Sequence, residues 1–372
     1  MKILVNFVFY KHVGHLIEAI ILCKGIYNTN KDCEIHLIVN KDTPIDLTRG
    51  CPWIKKTYPV DLEDVWKNGK KAKCYEDIPK NFDYIITNNL ILMKGYEMRK
   101  ISEKGMIKHL KISNTLFNSE YGNGKLFPKK IFPDGLNLDD ESHVRLKIPR
   151  KSNFSKKVNF GQKNICVLLG GSKNPAFYPE LKTWKMIFVE IFSHFPDAKI
   201  FITGVTNVKM GQTSTQAYEI EKIRKLSKIF KNLEVLYDIG LWNQVRLIKT
   251  CDVLISPHSG FSFIAPLVGT PWIEIAGGNW PSYLFNEVPF YSVMPHEPKY
   301  PYYGKLTVSR TKNIIPSMRF DALYKKIPEI IHALDLIFTK KLSYKKAIEI
   351  HKSNIKKSKT KLKEIPTHPY VI

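Results

Sequence analysis

Apolar residues open the chain almost without interruption over positions 1–9, broken only by Lys2 and Asn6, and then recur at helical spacing at Leu16, Ala19, Ile20, Cys23 and Ile26. A loop over 10–14 separates the two patterns, and a second apolar run over 33–39 follows the helix. Strand, helix, strand is the unit from which parallel sheets are built. Further strands are expected at 84–87 and 107–112, whereas 44–80 gives no regular reading. Between 122 and 162 the chain turns to Lys, Pro, Asn and Asp, and Pro128, Pro133 and Pro149 interrupt any long period.

We place a boundary near 150–160, dividing the chain into a domain over 1–155, a second over 156–335 and a basic helical tail over 336–372. The second domain repeats the alternation more cleanly. Strands are expected at 164–169, 198–203, 233–237, 252–256 and 272–275, with helices at 178–192, 215–230, 242–249 and 260–268. Five strands alternating with four helices describe a doubly wound α/β domain.

A chain of 372 residues suits two domains rather than one. Hydrophobic residues make up 44% and aromatics 12%, enough to bury a core and to exclude an intrinsically disordered protein. The formal net charge of +24 implies attraction to nucleic acid, an anionic membrane or phosphorylated substrates. The tail from Leu336 holds ten Lys against two Glu, and its apolar stripe (Ile348, Ile355, Leu362) is narrow, so it reads as a solvated helix packed on the other domain or as a surface for anionic lipid. The cysteines at 23, 33, 51, 74, 166 and 251 form no C-x-x-C pair and read as reduced and mostly buried. Neither a signal h-region nor a membrane span is visible, which points to a cytoplasmic protein, soluble or peripheral, whose Asn153-Phe154-Ser155 sequon goes unused.

Rossmann G-x-G-x-x-G, Walker G-x-x-x-x-G-K-[ST], H-E-x-x-H and Asp-x-Asp are all absent, so neither a standard dinucleotide enzyme, a P-loop NTPase nor a metal-dependent mechanism has a visible motif. His12 and His15 have H-x-x-H spacing without a third ligand. Chemistry is then expected at the carboxyl ends of the parallel strands. One such place is Lys11-His12-Val13-Gly14-His15, where Gly14 lets the backbone turn closely and His15 can take a proton from a hydroxyl nucleophile, or else simply cap the helix. A second is His258-Ser259-Gly260 between a strand and a helix, whose first N–H groups suit a phosphate, with hydroxyls at Ser259 and Ser262; the alternative is a capped helix with no ligand. Gly171, Ser172 and Lys173 follow the first strand of the same domain and face the same edge.

Residues 255–275, with their Ser-x-x-Ser-Gly turn and Gly269-Thr270-Pro271 after the helix, resemble the donor-site segment of GT-B glycosyltransferases of the heptosyltransferase-like group, glycosyltransferase family 9. The Gly170-Gly171-Ser172 turn, Trp184, the strand ending at Gly204 and the 238–244 run DIGLWNQ are similar to that group in the same order. The likeness is good over 160–280 and weaker over 40–160. It implies two Rossmann-like α/β domains facing across a cleft, and transfer of a sugar from a nucleotide-diphosphate donor to a glycan, glycolipid or protein hydroxyl, without metal or cofactor and without nucleic acid. The donor residues it implies are Gly171, Ser172, Lys173, Gly204, Leu241, Trp242, His258, Ser259, Gly260 and Glu274, the last for ribose hydroxyls or as a core-edge acid in a salt bridge. His12 and Gly14 would lie on the acceptor side, with His15 as base where heptosyltransferases usually carry Asp. Two rival readings are a nucleotide-sugar epimerase or hydrolase on the same scaffold, and a basic nucleic-acid-binding protein for which no motif is found.

Overall fold

A computed structural model describes residues 1–8, 12–30, 32–68, 73–87, 143–149, 158–171, 175–206, 215, 217–257, 259–275, 285–294 and 318–359. The expected strand at 107–112 and the sequon lie outside these residues. The chain forms two compact units, Met1–Lys147 with Lys209–Gln212, and Ile148–Val208 with Thr213–Ile372.

In the first unit the described strands are β1 (Lys2–Phe7), β2 (Glu34–Asn40), β3 (Lys56–Val60) and β4 (Tyr84–Thr87), all parallel in the order β3-β2-β1-β4. The register sets Lys2 to Phe7 beside Glu34 to Val39, and Ile3 beside Tyr84. β1 is apolar without alternation because a parallel strand is covered on both faces. Helix α1 (Val13–Thr29) begins earlier than its apolar spacing suggests, which puts Gly14 inside the first turn rather than in the preceding loop. Most of α1 is buried, not one stripe of it, as expected of a helix apolar all round. It ends where Asn30 turns both its backbone N–H and its side-chain Nδ2 onto the Ile26 carbonyl, at 3.0 and 2.7 Å. The stretch without a regular reading contains β3 and the short helix α2 (Leu62–Asn68). A cluster of Leu4, Val8, Ile38, Tyr58, Val60, Ile78, Phe82 and Ile85 forms an apolar core on this sheet.

The second unit carries β5 (Lys163–Val167), β6 (Ala198–Gly204), β7 (Leu233–Tyr237), β8 (Val253–Pro257), β9 (Trp272–Ile275) and β10 (Phe290–Val293). Their order, β10-β9-β8-β5-β6-β7, is that of a doubly wound dinucleotide-type sheet, with β10 a strand beyond the five expected. The helices are α3 (Leu181–His194), α4 (Ile220–Ile229), α5 (Leu241–Thr250), α6 (Ile264–Val268), α7 (Phe320–Tyr324), α8 (Ile327–Phe338) and α9 (Tyr344–Lys359). α3 and α4 start later than their patterns suggest, α3 behind a 3-10 turn at Pro175–Phe177. α6 is likewise preceded by a 3-10 turn, Gly260–Phe263. α8 runs through residue 336, and α9 lies against β10 of its own unit, its His351 edge-on to Phe285 and Phe290 with ring centroids 6.0 and 5.3 Å apart. Free thiols are found at all six cysteines, four of them buried. Among the described residues no helix is long and apolar enough to cross a membrane.

Candidate functional site

In the second sheet the strand order reverses between β5 and β8, which opens the crevice where α/β sheets take ligands. The two strands stay paired until Leu168 donates its N–H to the Ile255 carbonyl at 3.1 Å, and their following loops then meet. A Cβ placed on Gly171 would lie 2.6 Å from both Cβ and Oγ of Ser259, so these two sequence-expected residues touch backbone to side chain and leave room only for glycine. Ser259 caps the following 3-10 turn: its Oγ accepts from Phe261 N–H at 3.3 Å and its carbonyl accepts from Ser262 N–H at 3.0 Å. Two N–H groups expected to face a ligand are therefore held within the turn. The Ser262 hydroxyl also faces inward, 2.7 Å from Ser256 Oγ, which accepts from Trp272 Nε1 at 2.8 Å. This buried network fixes the β8–α6 turn from below. Ser172, Lys173 and His258 lie outside the described residues.

The next loop along the edge belongs to β6, β7 and α5. A side chain at Gly204 would collide with Thr215 and the Tyr237 ring, so this glycine is fixed by close packing. Its carbonyl accepts from Gln244 Nε2 at 2.7 Å and from Asp238 N–H at 3.0 Å, which ties α5 to the end of β6. Burial pushes the Tyr237 phenol well above its ordinary range, so it stays protonated. Asp238 and Gly240 both take positive φ, 56° and 85°, and nothing stands within 4 Å of where a Gly240 side chain would begin. Leu241 and Trp242 follow as the first turn of α5.

Glu274 is 1% exposed. The register aligns it with Ser256 on one side and Ser292 on the other, and Ser292 Oγ donates to its Oε2 at 2.9 Å. The carboxylate is thus a buried acceptor in a row of polar side chains crossing three strands.

In the first sheet the order reverses between β1 and β4, and α1 starts just beyond β1. His12 precedes α1 and is exposed, its ring centroid 6.3 Å from that of His15. His15 is only 2% exposed, and its Nδ1 lies 3.0 Å from Oε2 of Glu18, itself buried. Sequence reasoning missed Glu18, although its position three residues after His15 on a helix signals the pairing. A carboxylate at Nδ1 favours the tautomer that carries its N–H there and leaves Nε2 with the free lone pair. Among the described residues no group of three His, Cys, Asp or Glu could hold a metal ion.

No protein-family model matches the chain, and no curated protein matches it in sequence. Solved structures do. An E. coli ADP-heptose LPS heptosyltransferase II superposes over 92% of this chain and 99% of its own, with a TM-score of 0.60 at 12% identity. A glycosyl transferase family 9 protein from Veillonella parvula covers 91% and 97%, at 0.60 and 13%. The fold is that of the GT-B heptosyltransferases. An E. coli heptosyltransferase solved with ADP is similar in the same way, over 90% of this chain and 99% of its own, with a TM-score of 0.57 at 12% identity.

Proposed function

We propose that the protein is a glycosyltransferase that moves a sugar from a nucleoside-diphosphate donor to a hydroxyl group of a glycan, glycolipid or protein, without a bound metal. The observation that carries the reading is the meeting of Gly171 with Ser259 at the reversal point of a doubly wound sheet, in a fold shared with a heptosyltransferase solved with ADP and again with ADP-2-deoxy-2-fluoro heptose. In this reading the second unit binds the donor along the edge formed by Gly171, Ser259, Gly260, Leu241 and Trp242, with Ser172, Lys173 and His258 contributing from the same loops. Main-chain N–H groups there stabilise the charge that develops on the diphosphate. His15 of the first unit takes the acceptor hydroxyl proton at Nε2, the acceptor oxygen bonds to the anomeric carbon, and the sugar–phosphate C–O bond breaks with its electron pair leaving on the nucleoside diphosphate. Glu18 positions the imidazole and stabilises it once charged.

The burial of His15 gives a competing reading in which the His15–Glu18 pair only holds α1 in place. Transfer assays decide between them. His15→Ala should cut turnover by about 10²- to 10⁴-fold while donor affinity, measured by calorimetry, stays within about threefold; a folded variant with turnover within about threefold of the parent contradicts the base assignment. Incubating donor with and without acceptor separates transfer from epimerase or hydrolase chemistry, because sugar released or epimerised in the acceptor's absence supports the rival. The same reading assigns the enzyme to the cytoplasm, with the exposed lysines of α9 available to an anionic lipid surface.

A further inference from the structure

Helix α5 carries three buried side-chain N–H donors, on two residues, that go unused among the described residues. The Nε and Nη2 atoms of Arg246 are buried and have no hydrogen-bond partner among the described residues, and the same holds for Nε1 of Trp242, one turn earlier on the helix. A guanidinium nitrogen that is buried and unpaired costs free energy, so a folded protein normally matches it with a carboxylate, a carbonyl or a bound ligand. The acids flanking α5 are engaged elsewhere. Asp238 binds the backbone N–H of Thr206 at 2.8 Å and also its hydroxyl, while Asp252 accepts from Asn164 N–H at 2.7 Å. The neighbouring amides point their NH2 groups elsewhere, Asn243 Nδ2 donating to the Ile239 carbonyl and Gln244 Nε2 to that of Gly204, both at 2.7 Å. What is left at 242 and 246 is a set of N–H donors without an acceptor, four residues apart and so on one face of the helix.

We infer that Arg246, with Trp242, forms a binding subsite for an oxyanion, a phosphate or carboxylate group of a ligand. The guanidinium is a planar fork that grips two oxygens of such a group, and a single indole N–H adds a third donor. Trp242 also stands on the proposed donor edge, whereas Arg246 has no part in the transferase reading, so the subsite is tested chiefly through Arg246.

Thermal unfolding of the full chain in inorganic phosphate, in pyrophosphate and in glucuronate, each compared with chloride at equal ionic strength, tests it and separates the phosphate source from the carboxylate source. The parent should show a saturable rise in Tm with at least one of these anions, because a ligand that binds only the native state stabilises it by mass action. Arg246→Met should lose that rise and unfold at an equal or higher temperature than the parent in chloride, since two buried N–H groups without a partner among the described residues have been replaced by an apolar chain. Trp242→Phe should retain the rise with affinity weakened severalfold. A lower Tm for Arg246→Met in chloride, an anion response unchanged by it, or no saturable response in the parent would each overturn the inference. The Arg246→Met outcomes leave the transferase reading untouched, because Arg246 has no part in the proposed transfer step.

Discussion

The contact between Gly171 and Ser259 makes a prediction about two single residues. Gly171→Ala puts a methyl group against a serine Cβ that cannot swing away, and overpacking of this kind costs about 1–3 kcal/mol. Ser259→Gly removes the obstructing atoms at a cost of only a few tenths of a kcal/mol in capping. The double variant should therefore be more stable in urea than Gly171→Ala alone; strictly additive effects would mean that the two loops do not touch. At the other proposed site, Glu18→Gln should lower turnover and leave donor affinity unchanged, since a neutral amide cannot stabilise an imidazolium. Gly171, Ser259 and His15 were legible because glycine turns and a histidine at a strand's carboxyl end stand out in a sequence. Arg246 was not, because an arginine on a charged helix looks solvated until the positions of its neighbours are known. The strand of Glu274 was recognised, but its pairing with Ser292 was not, because that register requires β10.

Strands with a compact apolar run, such as β6 and β8, were plain from the sequence. β3 was not: KTYPV alternates and contains Pro59, which marks a non-strand or an edge, and β3 is indeed the edge of its sheet. β10, four residues long and also at an edge, is too short to show a period. The basic C-terminal helix is fastened by one of its few buried side chains. His351 is buried with both ring nitrogens lacking a hydrogen-bond partner among the described residues, and burial lowers its pKa to about 4. The imidazole is thus neutral in the folded protein at pH values where it would be protonated in the unfolded chain. Between the unfolded value, about 6.5, and about 4 the unfolded state binds more protons, so stability is full above about 6.5 and declines as pH falls. The loss attributable to this side chain should approach about 3 kcal/mol. Denaturant midpoints recorded from pH 7 to 4 should show it, and His351→Leu should flatten that part of the profile; a variant profile parallel to the parent's would place the pH dependence elsewhere.

Taken whole, the chain keeps a fold that it shares with heptosyltransferases at 12% identity and with a glycosyl transferase family 9 protein at 13%. Such divergence is compatible with one fold because parallel strands ask only for apolar residues covered on both faces, which many sequences supply. Each sheet has a reversal point among its described strands, and that is where the proposed chemistry lies. Transfer activity should survive excess EDTA, as expected when main-chain donors rather than a cation meet the diphosphate; loss that added Mg²⁺ or Mn²⁺ restores would contradict this. Calorimetric titration of the intact chain with a panel of nucleoside-diphosphate sugars bears on all of this at once. One donor should bind saturably, be displaced by its own nucleoside diphosphate, and lose at least tenfold in affinity in Gly171→Val and Gly260→Val variants that circular dichroism shows to be folded. No binding by any donor, or equal binding by the folded variants, would contradict a donor site at the β5–β8 edge.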